Sequence, residues 1–196
     1  MSSIFVFPGQ GSQAVGMGKD LYDNNPIARA VFDEVDEALG QKLSDIIFNG
    51  PMEELTMTAN VQPAIMATSI AMLRVSGAEM TPYVAGHSLG EYTALCAAGA
   101  LSLADTARLL RLRGDAMQRA VPVGQGAMAV VLGLDVETLT TVCRDAEQRV
   151  GGRYVSDIAN DNAPGQVVIS GSKPAIEAAM EIAKERGAKR AMLLPL

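Results

Sequence analysis

The feature that most constrains this chain is a Gly-x-Ser-x-Gly motif at 86–90, which joins a strand pattern to a helix pattern. Residues 83–85 predict a short strand, and Pro82 blocks any helix from running into it. Residues 91–98 predict a helix with its acidic residue in the first turn, where the helix dipole favours it. The two glycines allow a sharp turn that lifts the Ser88 hydroxyl clear of the sheet. The pattern predicts a nucleophile elbow rather than an ordinary strand–helix turn, with Ser88 placed to attack acyl groups.

The motif lacks an obvious base. A neutral serine is a poor nucleophile until a base takes its proton, and the usual base is histidine. The chain has one histidine, His87. Neighbouring side chains at a strand end point to opposite faces, so His87 is badly placed to receive the Ser88 proton. We expect His87 to line the acyl pocket or to support the elbow, and the base to be missing, supplied by another chain or located beyond Leu196.

Composition indicates a globular protein that binds neither nucleic acid nor membrane. Hydrophobic residues make up 48% of the chain and charged residues 19%, enough for one sizeable core or two small domains. The net charge of -6 argues against a general nucleic-acid or anionic-membrane surface. One local basic group near the end predicts either a solvated helix end or a docking site for an acidic partner: Lys184, Arg186, Lys189 and Arg190.

No cofactor or metal is expected. Cys96 and Cys143 lie far apart without a C-x-x-C or histidine companion, so neither a metal site nor a disulfide is indicated, and reduced thiols fit the cytoplasm. The chain also lacks a secretory signal pattern and any apolar stretch of the roughly 20 residues needed to span a membrane. Glycine patterns at 9–14 and 18–20 imitate nucleotide-binding loops, but neither has the acidic or hydroxyl residue that such a loop requires.

The order of predicted elements divides the chain in two. A strand at 4–7 and helices near 26–39, 61–75 and 103–119 precede a joint at 122–126, the helix near 103 opening with Ser102 and Asp105 in capping-box spacing. We place domains at 1–125 and 126–194. The second follows a β-α-β-β-α-β order, the split ferredoxin-like arrangement, with elements near 127–132, 136–149, 153–159, 166–170, 174–186 and 191–194 and a turn at 162–165.

The first domain has too few strands to be complete. Residues 1–125 contain two predicted strands, whereas doubly wound sheets usually have about five or six. The chain also stops on an apolar run at 191–196, although termini are commonly polar and exposed. We expect the remainder of this core, and the missing histidine, to follow Leu196.

Arg113 is the second candidate functional residue, after Ser88. At helical spacing Arg108 has Asp105, and both Arg111 and Arg119 have Asp115 as local partners. Arg113 has no carboxylate at such spacing, so its guanidinium needs one from elsewhere. It is predicted either to hold a free carboxylate on the acyl group that Ser88 accepts, or to form a structural salt bridge with another segment.

From residue 4 to its end the chain closely resembles the malonyl-CoA:acyl carrier protein transacylases. Four segments in order carry the resemblance: FPGQGSQ at 7–13, GHSLGEY at 86–92, RLRG at 111–114 followed by MQ at 117–118, and NAPGQVVISG at 162–171.

The resemblance implies an α/β-hydrolase-like core carrying an inserted ferredoxin-like domain. It implies that Ser88 takes malonyl from coenzyme A and passes it to the phosphopantetheine thiol of acyl carrier protein, in fatty acid biosynthesis. The amides of Gln10 and Leu89 would form the oxyanion hole, Arg113 would grip the malonyl carboxylate, and Gln10 and His87 would also contact substrate. Malonyl-CoA would be the substrate, no cofactor is implied, and a monomer is the family default.

The chain departs from the family pattern at its end. The family's catalytic histidine follows the position where this chain stops, so the segment alone is expected to turn over far below the rate of an intact enzyme. Three other functions fit parts of the pattern: a malonyl transferase subunit of malonate decarboxylase, a serine thioesterase or hydrolase, and an inactive module that binds acyl carrier protein.

Overall fold

The computed structural model describes residues 3–79, 81–122 and 124–194 and divides the chain into two compact units, Met1–Ala120 and Val121–Leu196. Val123 of the predicted joint and residues 195–196 of the predicted apolar ending lie outside the described residues. Strands and helices are both well represented, so the fold class is mixed α/β. In the described part of the chain no helix is long and apolar enough to cross a membrane.

The first unit is mainly helical around a small parallel sheet. Its elements are β1 (Ile4–Phe7), α1 (Lys19–Asn24), α2 (Pro26–Leu39), α3 (Leu43–Asn49), α4 (Met52–Thr56), α5 (Thr58–Ser76), β2 (Tyr83–Gly86), α6 (Leu89–Ala97) and α7 (Leu103–Ala120). β1 pairs with β2 in parallel, from Ile4 opposite Tyr83 to Phe7 opposite Gly86. Because the strands are parallel, the loops after both strands leave the sheet at the same edge.

Several helices of this unit begin or end at capping residues in the sequence. The side chain of Asn25 accepts a hydrogen bond from the amide of Ile27 at the start of α2, and Gly40 ends that helix with a φ of 60°. At α7 the Ser102 hydroxyl accepts from the Asp105 amide at 3.0 Å, which confirms the predicted cap. α1, α3 and α4 were not predicted, since helices of 5 to 7 residues are too short to show a helical period.

α5 begins three residues earlier than its predicted start at 61, so Pro63 lies inside the helix and not in its first turn. The amides of Asn60 and Val61 both donate to the carbonyl of Met57, at 2.8 and 2.9 Å. These bonds form the first turn before the proline is reached. Pro63 therefore costs the helix one amide donor but does not set where it starts.

The core of the first unit lies among its long helices. Phe32 of α2, Leu43 of α3, Met66 of α5 and Leu110 of α7 are all at most 1% exposed. Burying such side chains stabilises the unit by roughly 1.5–3 kcal/mol each relative to exposure. α5 and α7 are thus held rigidly, and both helices supply side chains to the site described below.

The second unit has the predicted order β-α-β-β-α-β. Its elements are β3 (Gly126–Leu132), α8 (Val136–Arg149), β4 (Ser156–Ala163), β5 (Gln166–Ser172), α9 (Lys173–Glu185) and β6 (Arg190–Leu193). The four strands form one antiparallel sheet in the order β4-β5-β3-β6. Alternate residues of β3 are buried, which places Ala129 and Val131 in a core with Leu139 of α8 and Ile176 of α9.

β4 differs from its predicted range of 153–159. It starts at Ser156 and runs to Ala163, so Asn162 belongs to the strand, and only Pro164 and Gly165 separate it from β5. Pairing with β5 shifts register between Ile158 and Asn160 and again between Asp161 and Ala163. The Asp and Asn residues of this edge strand have low strand propensity, and sheet pairing overrides it.

Candidate active site

Ser88 occupies the sharp turn that the motif predicts, between the end of β2 and the first residue of α6. Its φ is 56° and its ψ -112°, and among the described residues it is the only one other than glycine with a positive φ. Such a backbone conformation costs on the order of 1–3 kcal/mol and persists only where surrounding structure enforces it. The strain sits on the residue predicted to be the nucleophile.

The Ser88 hydroxyl is not used to cap its own helix. Serine at an N-cap commonly accepts a hydrogen bond from an amide of the first turn, but Ser88 forms no such bond. Its Oγ instead accepts a hydrogen bond from Nη2 of Arg113 at 3.0 Å. Ser88 is an exposed residue, so an incoming acyl group can reach it.

Glycines enforce this turn by leaving no room for a side chain. A Cβ added to Gly86 would lie 1.9 Å from the carbonyl oxygen of Gly90, and one added to Gly90 would lie 2.4 Å from that of Phe7. Both obstacles are backbone atoms, which cannot rotate away. The glycines at the two ends of the motif thus let the elbow close on itself and on the end of β1.

Replacing Gly86 by alanine is expected to lower the free energy of unfolding by about 2–3 kcal/mol, because the new methyl group must push the elbow backbone apart. Urea unfolding followed by circular dichroism measures the change. The matched control is Ala85→Gly at the neighbouring exposed position, for which about 0.5–1 kcal/mol is expected. Equal stability losses in the two variants would contradict the close packing.

The loop after β1 lies against the elbow at the shared edge of the sheet. The His87 amide donates to the carbonyl of Phe7 at 3.1 Å. A Cβ added to Gly9 would lie 2.6 Å from Nδ1 of His87, so the imidazole ring packs directly over this glycine. This contact agrees with a supporting role for His87. It also brings Gln10, the next residue of the loop, to the same edge as Ser88.

The amides of Gln10 and Leu89 are the predicted oxyanion donors. Leu89 is the first residue of α6 and is 1% exposed, and the first amides of a helix have no partner within that helix. Gln10 lies in the turn after β1 and is exposed. The sheet edge therefore brings the segments that carry both predicted oxyanion donors towards Ser88, while their role stays a prediction.

Arg113 reaches the site from α7 and is held by uncharged groups. Its Nη1 donates to Oε1 of Gln62 at 2.6 Å, and its guanidinium carbon lies 5.9 Å from the centroid of the Tyr92 ring. Among the described residues Arg113 forms no ion pair. The predicted alternative of a structural salt bridge thus has no partner in this part of the chain, and the positive charge remains available beside Ser88.

The other arginines of α7 only partly follow the predicted pairing. Arg108 contacts Asp105 at 3.2 Å, as predicted. Arg111 and Arg119 do not form ion pairs with Asp115 in the described structure, so that prediction is wrong. Nε and Nη2 of Arg111 are buried without a hydrogen-bond partner among these residues, and desolvation lowers the Arg111 pKa, with Asp115 opposing the shift. Helical spacing permits such a pair, but the side chain packs elsewhere.

Sequence reasoning missed Gln62, which is fully buried on α5. It sits 51 residues from Arg113 in the chain, so no local pattern connects the two. The one available signal is its neighbour Pro63, which marks an unusual helix position without indicating a contact. Across the described ranges, no group of three or more His, Cys, Asp or Glu residues is arranged to hold a metal ion.

The chain is similar to proteins of known family. The sequence model of the acyl transferase domain family matches residues 4–193. The malonyl CoA-acyl carrier protein transacylase of Bacillus subtilis (strain 168) is 54% identical over 197 residues, which cover 99% of this chain and 61% of that protein. The chain thus spans less than two thirds of the length of this curated relative.

Solved structures resemble the chain over its whole length. An acyl-carrier-protein-S-malonyltransferase from Bartonella henselae matches with a TM-score of 0.92 and 55% identity, covering 100% of this chain and 63% of the other. A type II PKS acyl-carrier protein has been solved in complex with its malonyl-transacylase, which matches with a TM-score of 0.92 and 43% identity and the same coverages.

Proposed function

Because this chain belongs to the acyl transferase domain family, we propose that it carries the nucleophile and the acyl-binding arginine of a malonyl-CoA:acyl carrier protein transacylase that serves fatty acid biosynthesis. The observation that carries the proposal is the 3.0 Å hydrogen bond from Arg113 to Ser88 Oγ at a strained elbow. A nucleophile beside an uncompensated cation suits an acyl group that ends in a carboxylate, as malonyl does.

Ser88 Oγ would attack the thioester carbonyl carbon of malonyl-CoA. A base takes the hydroxyl proton, the carbon–sulfur bond breaks, and coenzyme A leaves as a thiol after gaining a proton. The phosphopantetheine thiol of acyl carrier protein then attacks the Ser88 ester, and the serine oxygen recovers a proton. Arg113 is not the base, because a guanidinium donates hydrogen bonds but has no free pair to take a proton.

The amides of Gln10 and Leu89 would stabilise the negative oxygen formed in both steps. One such donor is worth about 3–4 kcal/mol in comparable enzymes. The proposal is supported by the start of α6 at Leu89 and by the contact of the β1 loop with His87. In this site His87 and Gln10 would also line the acyl pocket.

At the level of architecture, we infer an α/β-hydrolase-like core in the first unit and a ferredoxin-like fold in the second. The parallel pair of strands leading into the elbow supports the first inference. The β-α-β-β-α-β order and the fully antiparallel sheet support the second. Free Cys96 and Cys143 fit a cytoplasmic enzyme, and a monomer that needs no cofactor remains the expectation.

Intact mass spectrometry after incubation with malonyl-CoA tests the proposal. We expect an adduct of one malonyl group, located at Ser88 by peptide mapping, with a yield that rises when imidazole is added as an external base. Addition of acyl carrier protein bearing its phosphopantetheine arm should then remove the adduct and malonylate the carrier. The absence of any adduct, with and without imidazole, would exclude the proposed transacylase activity of these residues.

The same experiment separates the other candidate functions. A thioesterase would release free malonate without a carrier and would act as well on acetyl-CoA. An inactive binding module would bind the carrier protein but never acquire the adduct. A malonate decarboxylase subunit would form the adduct but fail to transfer it to the acyl carrier protein of fatty acid synthesis.

A further inference from the structure

Gln62 is the residue that holds Arg113 in place. It lies on α5, its side chain is 0% exposed, and its Oε1 accepts the 2.6 Å hydrogen bond from Arg113 Nη1. On the other side its Nε2 donates to Sδ of Met117 at 3.4 Å. The amide thus connects the helix in the core to the arginine at the candidate site.

The two partners fix the direction of the amide. A guanidinium has only donors, so it requires the oxygen of Gln62, and a thioether sulfur only accepts, so it receives the nitrogen. Sulfur is a weak acceptor, which makes Arg113 the stronger of the two partners. A buried amide oxygen that lost this bond would be left without a partner, so the pairing constrains both side chains.

The partner of Arg113 is a neutral amide, so the positive charge of the guanidinium is not compensated. A carboxylate at the position of Gln62 would give Arg113 the same support but would compensate its positive charge. An amide supports the guanidinium without neutralising it. Arg113 forms no ion pair among the described residues. Its positive charge lies beside Ser88 Oγ and would face the acyl group attached there.

We propose that Gln62 is a positioning residue that sets acyl specificity by holding Arg113 towards Ser88 with its charge uncompensated, so that the site selects acyl groups bearing a free carboxylate. This inference rests on the proposed acylation of Ser88. Gln62 would thus influence selectivity through Arg113, because it is fully buried and does not bond to Ser88 itself.

Gln62→Glu tests the proposal because it changes charge with almost no change in shape. The new carboxylate should pair with Arg113 and compete with the acyl carboxylate, so acylation by malonyl-CoA should fall about 10- to 100-fold. Acylation by acetyl-CoA should change less than about threefold, because it has no carboxylate to lose that pairing. Mass spectrometry of the Ser88 adduct, with imidazole present throughout, gives both rates.

Two further variants keep the result interpretable. Gln62→Met conserves volume and adds no charge, so malonyl acylation should fall because Arg113 is less well placed, while malonyl should still be favoured over acetyl. Gln148→Glu makes the same chemical change at an exposed position of α8 and should leave both rates unchanged. Circular dichroism shows whether each variant is folded; if Gln62→Glu fails to fold, a malonyl-to-acetyl ratio that Gln62→Met leaves at the wild-type value would overturn the proposal.

Failure of the inference is distinct from failure of the proposed function. A wild-type chain that takes malonyl, with a malonyl-to-acetyl ratio unaltered by Gln62→Glu, overturns the role of Gln62 alone. If malonyl-CoA does not react, an activated aryl ester with a free carboxylate and its neutral counterpart replace the two thioesters. Wild type that reacts equally with both esters, or a preference unchanged in Gln62→Glu, also overturns the inference.

Discussion

Replacing Ser88 by alanine is expected to abolish the malonyl adduct, with a loss of at least about 10,000-fold in acylation rate, since no other hydroxyl occupies the elbow. Mass spectrometry after incubation with malonyl-CoA measures the adduct directly. The chain should keep its stability, because the Ser88 hydroxyl does not cap α6 and its removal costs the helix nothing. An ordinary N-cap serine would instead cost about 1 kcal/mol when replaced by alanine.

The pair of measurements separates chemistry from folding. Ser76→Ala serves as the control, because the Ser76 hydroxyl bonds to the Leu73 carbonyl at the exposed end of α5, away from the elbow. It should be malonylated like the wild type. An undiminished adduct on Ser88→Ala would mean that another side chain is the nucleophile, and the proposed mechanism would then fail at its first step.

The sequence predicted elements well where a local signal marks both of their ends. α2 lies between the Asn25 cap and Gly40, and its range agrees with the predicted 26–39. Both strands of the first unit were predicted, at 4–7 and 83–85, because they are short apolar runs next to proline or glycine, but their pairing was not. β4 was misplaced because its pairing with β5, and not its own residues, determines that it extends to Ala163.

In the site too, the residues that a local motif marks were predicted, and those that depend on distant packing were not. Ser88 was found because its geometry depends on residues within the motif, above all on Gly86 and Gly90. Spacing showed only that Arg113 has no carboxylate three or four residues away on α7, and the family resemblance assigned it to the acyl carboxylate. Gln62 has no local mark, because its role arises only when α5 and α7 pack together. Packing over long separations is what a single sequence does not reveal.

Replacing Arg113 by alanine is expected to lower malonyl acylation of Ser88 by about 100- to 1000-fold, or ~3–4 kcal/mol, since the acyl carboxylate loses its charged partner. Acetylation by acetyl-CoA should change less than about tenfold, because acetyl has no carboxylate to pair. Preference for malonyl over acetyl should therefore disappear. Competition between the two thioesters, read as the masses of the two adducts, measures that preference in one experiment.

Arg113→Ala also leaves the buried Oε1 of Gln62 without its donor, so a loss of about 1–3 kcal/mol in stability accompanies the change. The malonyl-to-acetyl ratio separates the two effects, since loss of stability acts equally on both adducts. Arg108→Ala is the matched control, because Arg108 lies on the same helix with a 58% exposed side chain paired to Asp105. Arg113→Lys keeps the charge but loses the planar fork, so it should retain part of the preference. A ratio that survives Arg113→Ala would place the carboxylate-binding group elsewhere, and the guanidinium beside Ser88 would then serve the elbow and not the substrate.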